Sequence, residues 1–187
     1  MLDISNAIIL TSEGNSIELK IVDVFIEEIE KRTGIRLKKV DNWVENVPVI
    51  IITSEASGSS LIQPYKELLE GLEKPGKEGY RILVKKDKQP VVFIVGSDSR
   101  GVLYGVGKFL RKLSWGKGFI KIAEDLAISS APEYSLRGHQ LGYRPKTNAY
   151  DAWSIEQFEQ YIRELAFFGA NSIEILPPRT DDAPTSP

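Results

Sequence analysis

Toward its end the chain settles into a pattern that few architectures can accommodate. Residues 135–143 read as a strand, Ser154 caps a helix, Gly169 stops it, and residues 172–176 read as a second strand. Within that helix Phe158, Ile162, Leu165 and Phe168 recur at helical spacing, so one face is apolar. Strand, helix, strand with short connections is a βαβ unit, which builds a parallel pair by a right-handed crossover. The polar, proline-rich residues 181–187 follow this unfinished pattern, and the chain is expected to have been cut there.

Upstream the pattern is mixed. A short β-like run at 7–11 precedes a helix capped by Asn15 or Ser16, in which Ile17, Ile21, Val24, Phe25 and Ile29 share a face until Gly34 ends it. Strands follow at 36–40 and 47–53, the second a continuous apolar run suited to a buried position. Residues 54–60 read as a loop, and 61–72 as a loop with helical turns, since Pro64 interrupts them. A hairpin spans 79–85 and 90–95 around a charged turn. Asp98 or Ser99 then caps a helix to Leu113, with Leu103, Val106, Phe109, Leu110 and Leu113 on one face, and 119–122 adds a short strand. Residues 123–133 carry little periodicity and Pro132, which places a boundary there. The expected fold class is α+β, a mixed β-sheet with two helices mainly on one face over residues 1–133, followed by a βαβ fragment over 134–187.

Composition removes several functions. There is no cysteine and one histidine, His139, so disulfides, thiol nucleophiles and Cys- or His-rich metal centres are excluded. An all-carboxylate calcium site stays open in principle, but no metal and no cofactor is expected. With 24 basic against 26 acidic residues the net charge is −2, which marks neither a nucleic-acid binder nor an anionic membrane surface. The longest apolar run near the start, residues 7–10, is too short for a membrane span or a signal-peptide core. Gly96, Gly101, Gly105 and Gly107 follow a strand and overlap a helix start, yet match neither G-x-G-x-x-G nor the P-loop. They are expected to let the helix pack closely on the sheet, and a nucleotide-binding module fails on their spacing.

Three segments carry a resemblance: "EGYRILV" from Glu78, "VFIVGSDSRGVLYGVGKFLRKL" from Val92, and "APEYSLRGHQLGYR" from Ala131. Their order resembles the small N-terminal domain of family 20 glycoside hydrolases, the β-hexosaminidases, and its linker into the first strand of a (β/α)₈ barrel. Related domains precede the barrel in α-glucuronidases. The chain departs from the hexosaminidase pattern after Gly138, reading His139-Gln140-Leu141-Gly142-Tyr143-Arg144, and on the second strand, reading Glu174-Ile175-Leu176. There "NSIEILPPRTDD" is similar to a segment of family 84 enzymes, with Arg179 near their lysine.

The resemblance implies that residues 134–187 are the first strand–helix–strand of a truncated barrel, with 1–133 an accessory domain. Arg137 sits at the family's Arg-Gly position, where the arginine reaches hydroxyls of the terminal sugar; a structural arginine paired with a carboxylate is the other reading. Alternation puts Arg137, His139, Leu141 and Tyr143 on one side of the strand. Barrel sites gather at the carboxyl ends of strands, so His139, Tyr143 and Arg144, with Arg179 and Asp181 after the second strand, are candidate substrate-binding residues. For His139 a hydrogen-bonded core histidine is the alternative. In family 20 the catalytic Asp-Glu pair comes from a later barrel strand, beyond residue 187, so by that resemblance the chain alone is expected to be inactive. The expected function is the front end of a glycoside hydrolase acting on glycans; the alternative is a non-catalytic carbohydrate-binding or scaffolding module. Expected partners are a carbohydrate and the missing barrel, with no nucleic acid and no membrane span. An exported, extracytoplasmic setting is favoured because enzymes of this kind are commonly exported.

Overall fold

A computed structural model describes residues 1–12, 15–141 and 153–175. The chain forms two compact units, Met1–Pro132 and Glu133–Pro187.

In the first unit the elements run β1 (Leu2–Asp3), β2 (Ile8–Thr11), α1 (Ser16–Thr33), β3 (Lys38–Val40), β4 (Val49–Ser54), α2 (Ser59–Ile62), a 3₁₀ turn at Gln63–Tyr65, α3 (Lys66–Glu70), β5 (Tyr80–Lys85), β6 (Val91–Gly96), α4 (Ser99–Leu110), β7 (Ser114–Gly116), β8 (Phe119–Ile122) and β9 (Ala127–Ser130). Six strands form one sheet in the order β3-β2-β4-β6-β5-β9. The first four are mutually parallel, and β5 runs antiparallel to both β6 and β9. The sheet is therefore mixed, as the sequence predicts. Its central strands β4 and β6 are buried at every position, which is why both read as unbroken apolar runs.

Helices α1 and α4 pack on each other and share one face of this sheet. Phe25 and Phe109 meet between them with ring centroids 6.0 Å apart. The glycines of α4 make the approach possible: a Cβ on Gly101 would overlap the Gly79 carbonyl, and one on Gly105 would press on Ile94 and Tyr80. The opposite face is also covered. Leu61, Ile62, Tyr65 and Leu69 from the α2–α3 segment lie over Ile8, Leu10, Val49, Ile51, Val91, Phe93 and Val95. At about 1.5–3 kcal/mol for each fully buried large aliphatic or phenylalanine side chain, these two layers supply the main driving force.

Three short strands escape the sequence reading. β9 pairs with β5 and forms an edge of the sheet, although its own residues are half-buried or exposed and carry no alternation. β1 and β7 flank β8 in a small antiparallel sheet. Pairing of this kind is settled by the neighbouring strand and leaves little trace in a short segment's composition.

The second unit contains β10 (Gly138–Leu141), α5 (Ile155–Phe167) and β11 (Ser172–Ile175), with β10 and β11 parallel. Ser154 and Gln157 form a reciprocal capping box at the start of α5. The helix ends in a Schellman motif: Ala170 N donates to Leu165 O and Gly169 N to Ala166 O, with Gly169 at φ 98°. A side chain at Gly169 would have to enter a region that L-residues rarely adopt.

Candidate functional site

The βαβ unit is built around one polar anchor and one aromatic cluster. Asn171, just before β11, accepts the Arg137 backbone N–H at 2.9 Å and donates to Ser135 O at 2.8 Å. Its own N–H donates to Arg137 O at 3.0 Å. Arg137 Nε donates to Gly169 O at 2.7 Å and Nη1 to Tyr134 O at 2.6 Å. The guanidinium thus bridges the entry to β10 and the turn after α5. Those carbonyls lie at the amino ends of the two strands, where a cation offsets the partial negative charge of the helix C-terminus.

One step along β10, His139 Nε2 lies 3.2 Å from the Tyr161 hydroxyl of α5. Tyr161 also meets Trp153 edge-on, with centroids 5.1 Å apart, and Trp153 meets Phe158 in the same way at 5.5 Å. His139 therefore belongs to the face of β10 that packs under the helix. Trp153 has its ring against α5. At the start of α5 the Glu156 carboxyl is held below its ordinary value, first by the Ser154 hydrogen bond and then by a backbone N–H, as suits a helix N-terminus.

Exposure alternates along both strands with period two. Arg137, His139 and Ile173 are half-buried, whereas Gly138, Gln140, Ser172 and Glu174 are exposed. The register sets Gly138 beside Ser172, His139 beside Ile173 and Gln140 beside Glu174. Neighbours in register share a face, so the two strands present one face to α5 and a small, polar face away from it. Tyr143, Arg144, Arg179 and Asp181 lie outside the described residues. Of the predicted site residues, Arg137 and His139 are the two whose surroundings are defined. Sequence alternation had drawn attention to their side of the strand, and the Gln140–Glu174 pairing on the other side went unnoticed because register cannot be read from one strand alone.

In the first unit, Glu18 of α1 is completely buried. It accepts from Asn15 Nδ2 at 2.7 Å, Ser54 N at 3.1 Å, Ser57 Oγ at 3.1 Å and Ser99 Oγ at 3.2 Å. This carboxylate ties the amino ends of α1 and α4 to the carboxyl end of β4. A cleft of about 550 Å³ is lined by the α2–α3 segment and the residues after it, with Glu55, Lys74 and Arg81 of β5 in its wall. Arg81 donates to Glu55 at 2.7 Å and to Leu69 O at 2.9 Å. These contacts join the α3 cover to β5. Among the described residues no group of three His, Asp or Glu side chains could hold a metal ion, and no helix is long and apolar enough to cross a membrane.

No protein-family model and no curated protein matches the sequence. Solved structures do resemble the fold. A family 115 4-O-methyl-α-glucuronidase with specificity for decorated arabinogalactans superposes with a TM-score of 0.63 at 17% identity, over 94% of this chain and 26% of its own. An inactive mutant of the family 20 exo-β-N-acetylglucosaminidase from Vibrio harveyi gives 0.63 at 15% identity, over 94% and 22%. The family 84 protein CpGH84B gives 0.62 at 16% identity, over 94% and 26%. The chain thus spans about a quarter of each neighbour's length. At these identities the likeness is one of fold, and the fold is that of the N-terminal region of family 115, 20 and 84 glycoside hydrolases.

Proposed function

We propose that this chain is the front end of a glycoside hydrolase that acts on glycans. The first unit is then an accessory domain, and the second is the first strand–helix–strand of a (β/α)₈ catalytic barrel. The observation that carries this reading is the order of parts. An α+β unit of this topology is followed by a parallel βαβ pair, and this succession is shared over 94% of the chain with three glycosidase families. Among the described residues β10 and β11 pair with each other alone, and a barrel would close the edge that each leaves.

Within that barrel, the carboxyl ends of β10 and β11 open onto the sugar pocket. Tyr143, Arg144, Arg179 and Asp181 follow those ends in sequence and are proposed to contact the carbohydrate. Arg137 and His139 support the strand from the amino end and from under α5. The catalytic carboxylates are expected on later strands, so residues 1–187 alone do not cleave glycan. An extracytoplasmic setting remains part of the proposal.

The test compares this chain with the protein that continues past Pro187, on a panel of aryl glycosides. Turnover by the longer protein and none by the 187-residue chain is the expected result. Turnover by neither would favour a carbohydrate-binding or scaffolding module, and turnover by the short chain would remove the claim that catalytic groups lie elsewhere.

A further inference from the structure

The polar face of the βαβ unit has no counterpart in an ordinary barrel core. Strands of a parallel barrel are covered on both sides, by helices outside and by packed side chains inside, so they read as nearly continuous apolar runs. β10 and β11 do not. Their helix-facing positions carry His139 and Ile173, while the other face carries Gly138, Gln140, Ser172 and Glu174. Two of these four are a glycine and a serine, which fill little volume. The other two carry an amide and a carboxylate, side by side in register on adjacent strands, whose axes run about 4.8 Å apart. Neither side chain has a hydrogen-bonding partner among the described residues.

Inside a barrel such a face would be costly unless something polar occupied the space. A glutamate is almost never fully buried without a partner, and an unpaired buried carboxylate is among the most expensive groups in a protein. Space next to two small residues, walled by a Gln and a Glu, meets the description of a ligand pocket with a few convergent polar groups. The chemistry of the pair is complementary to hydroxyl groups. The carboxylate only accepts hydrogen bonds, on two oxygens, whereas the amide both donates and accepts. A sugar ring presents hydroxyls that donate to the carboxylate and accept from the amide.

Resting on the glycosidase reading above, we propose that Gln140 and Glu174 line the substrate pocket on the barrel's inner face and read hydroxyl groups of the bound sugar. The face that packs under α5, with His139, then holds the strand in place and does not touch substrate. The pair makes adjacent contacts, so it acts on the choice between sugars that differ in the configuration of one hydroxyl.

The experiment uses the protein that continues past Pro187, with Glu174→Gln, Glu174→Ala and Gln140→Ala compared with the unaltered protein on epimeric aryl glycosides. The expected result is a fall in kcat/KM of at least tenfold for Glu174→Ala and a smaller one for Glu174→Gln, which keeps an acceptor. The preference between epimers should change by at least fivefold, and the melting temperature should hold or rise as an interior charge is removed. Unaltered kcat/KM and epimer preference in an active enzyme would overturn the proposal while leaving the glycosidase reading intact. A lowered melting temperature with normal kinetics in the folded fraction would also overturn it, assigning the pair a structural role. Absence of turnover in the unaltered protein would remove the glycosidase reading, and this proposal with it.

Discussion

Arg137 Nε donates to the carbonyl of Gly169 at 2.7 Å, so a side chain at the start of β10 holds the turn that ends α5. With Nη1 on Tyr134 O, the guanidinium links the chain before β10 to the chain before β11. A strand pair joined through a long crossover needs such a link, because the crossover itself fixes neither the spacing nor the register of its ends.

Arg137→Ala should therefore lower the stability of the second unit by about 1.5–3 kcal/mol, the range for hydrogen bonds from a charged donor. Lysine should restore little, since a point charge cannot bond both carbonyls with the fixed geometry of the planar fork. Thermal melts and hydrogen exchange over 135–141 and 169–175 measure the loss. In the longer protein, kcat/KM per folded molecule should stay within about threefold. A tenfold fall without any change in melting temperature would place Arg137 on the sugar, as the resemblance to hexosaminidases implies.

Tyr161→Phe removes the hydroxyl that faces His139 Nε2 and leaves the ring against Trp153. The expected cost is about 0.5–1.5 kcal/mol, the net contribution of one hydrogen bond. Tyr161→Ala should cost more, since the ring is lost as well. Equal melting temperatures for the two variants would contradict the packing of His139 under α5.

Glu18→Ala should destabilise the first unit by more than about 2 kcal/mol, because the buried Ser54 N–H and the Ser57 and Ser99 hydroxyls would lose an acceptor and Asn15 Nδ2 one of its three. Glu18→Gln should recover part of the loss by keeping one acceptor. Urea unfolding of the first unit checks both. A loss under about 0.5 kcal/mol for the alanine would show that water replaces the carboxylate and that the site is open.

Gly101→Ala should be more damaging than Gly34→Ala, although Gly34 has the positive φ of 75°. At Gly34 a Cβ has open space and faces only backbone strain, whereas at Gly101 it would overlap the Gly79 carbonyl. The strain costs about 1 kcal/mol, and overpacking a rigid core costs about 1–3 kcal/mol. Equilibrium unfolding of the two variants gives the order.

Much of the fold was legible because the strongest signals are local. Asn15, Asp98 and Ser154 each cap the helix that follows them, and the spacing of apolar residues sets α1, α4 and α5. β4 announced itself as an unbroken apolar run, and β5 and β6 as the arms of a hairpin. β9 did not, because its pairing depends on β5, 44–50 residues away, and its own side chains are half-buried or exposed. The site was less legible for a related reason. Which face of β10 meets α5 is decided by the contact between His139 and Tyr161, and alternation alone names two faces without saying which is inside. The Gln140–Glu174 pair exists only through the register of β10 on β11, a long-range fact that no single segment carries.

The most direct measurement of the central claim is an experimentally determined structure of the protein that continues past Pro187. The expected result is β10 and β11 as the first two neighbouring strands of a closed eight-stranded parallel barrel. It places α5 in the outer ring, with Gln140 and Glu174 facing the interior. An open sheet, or a polar face of β10 and β11 turned to bulk solvent, would contradict it.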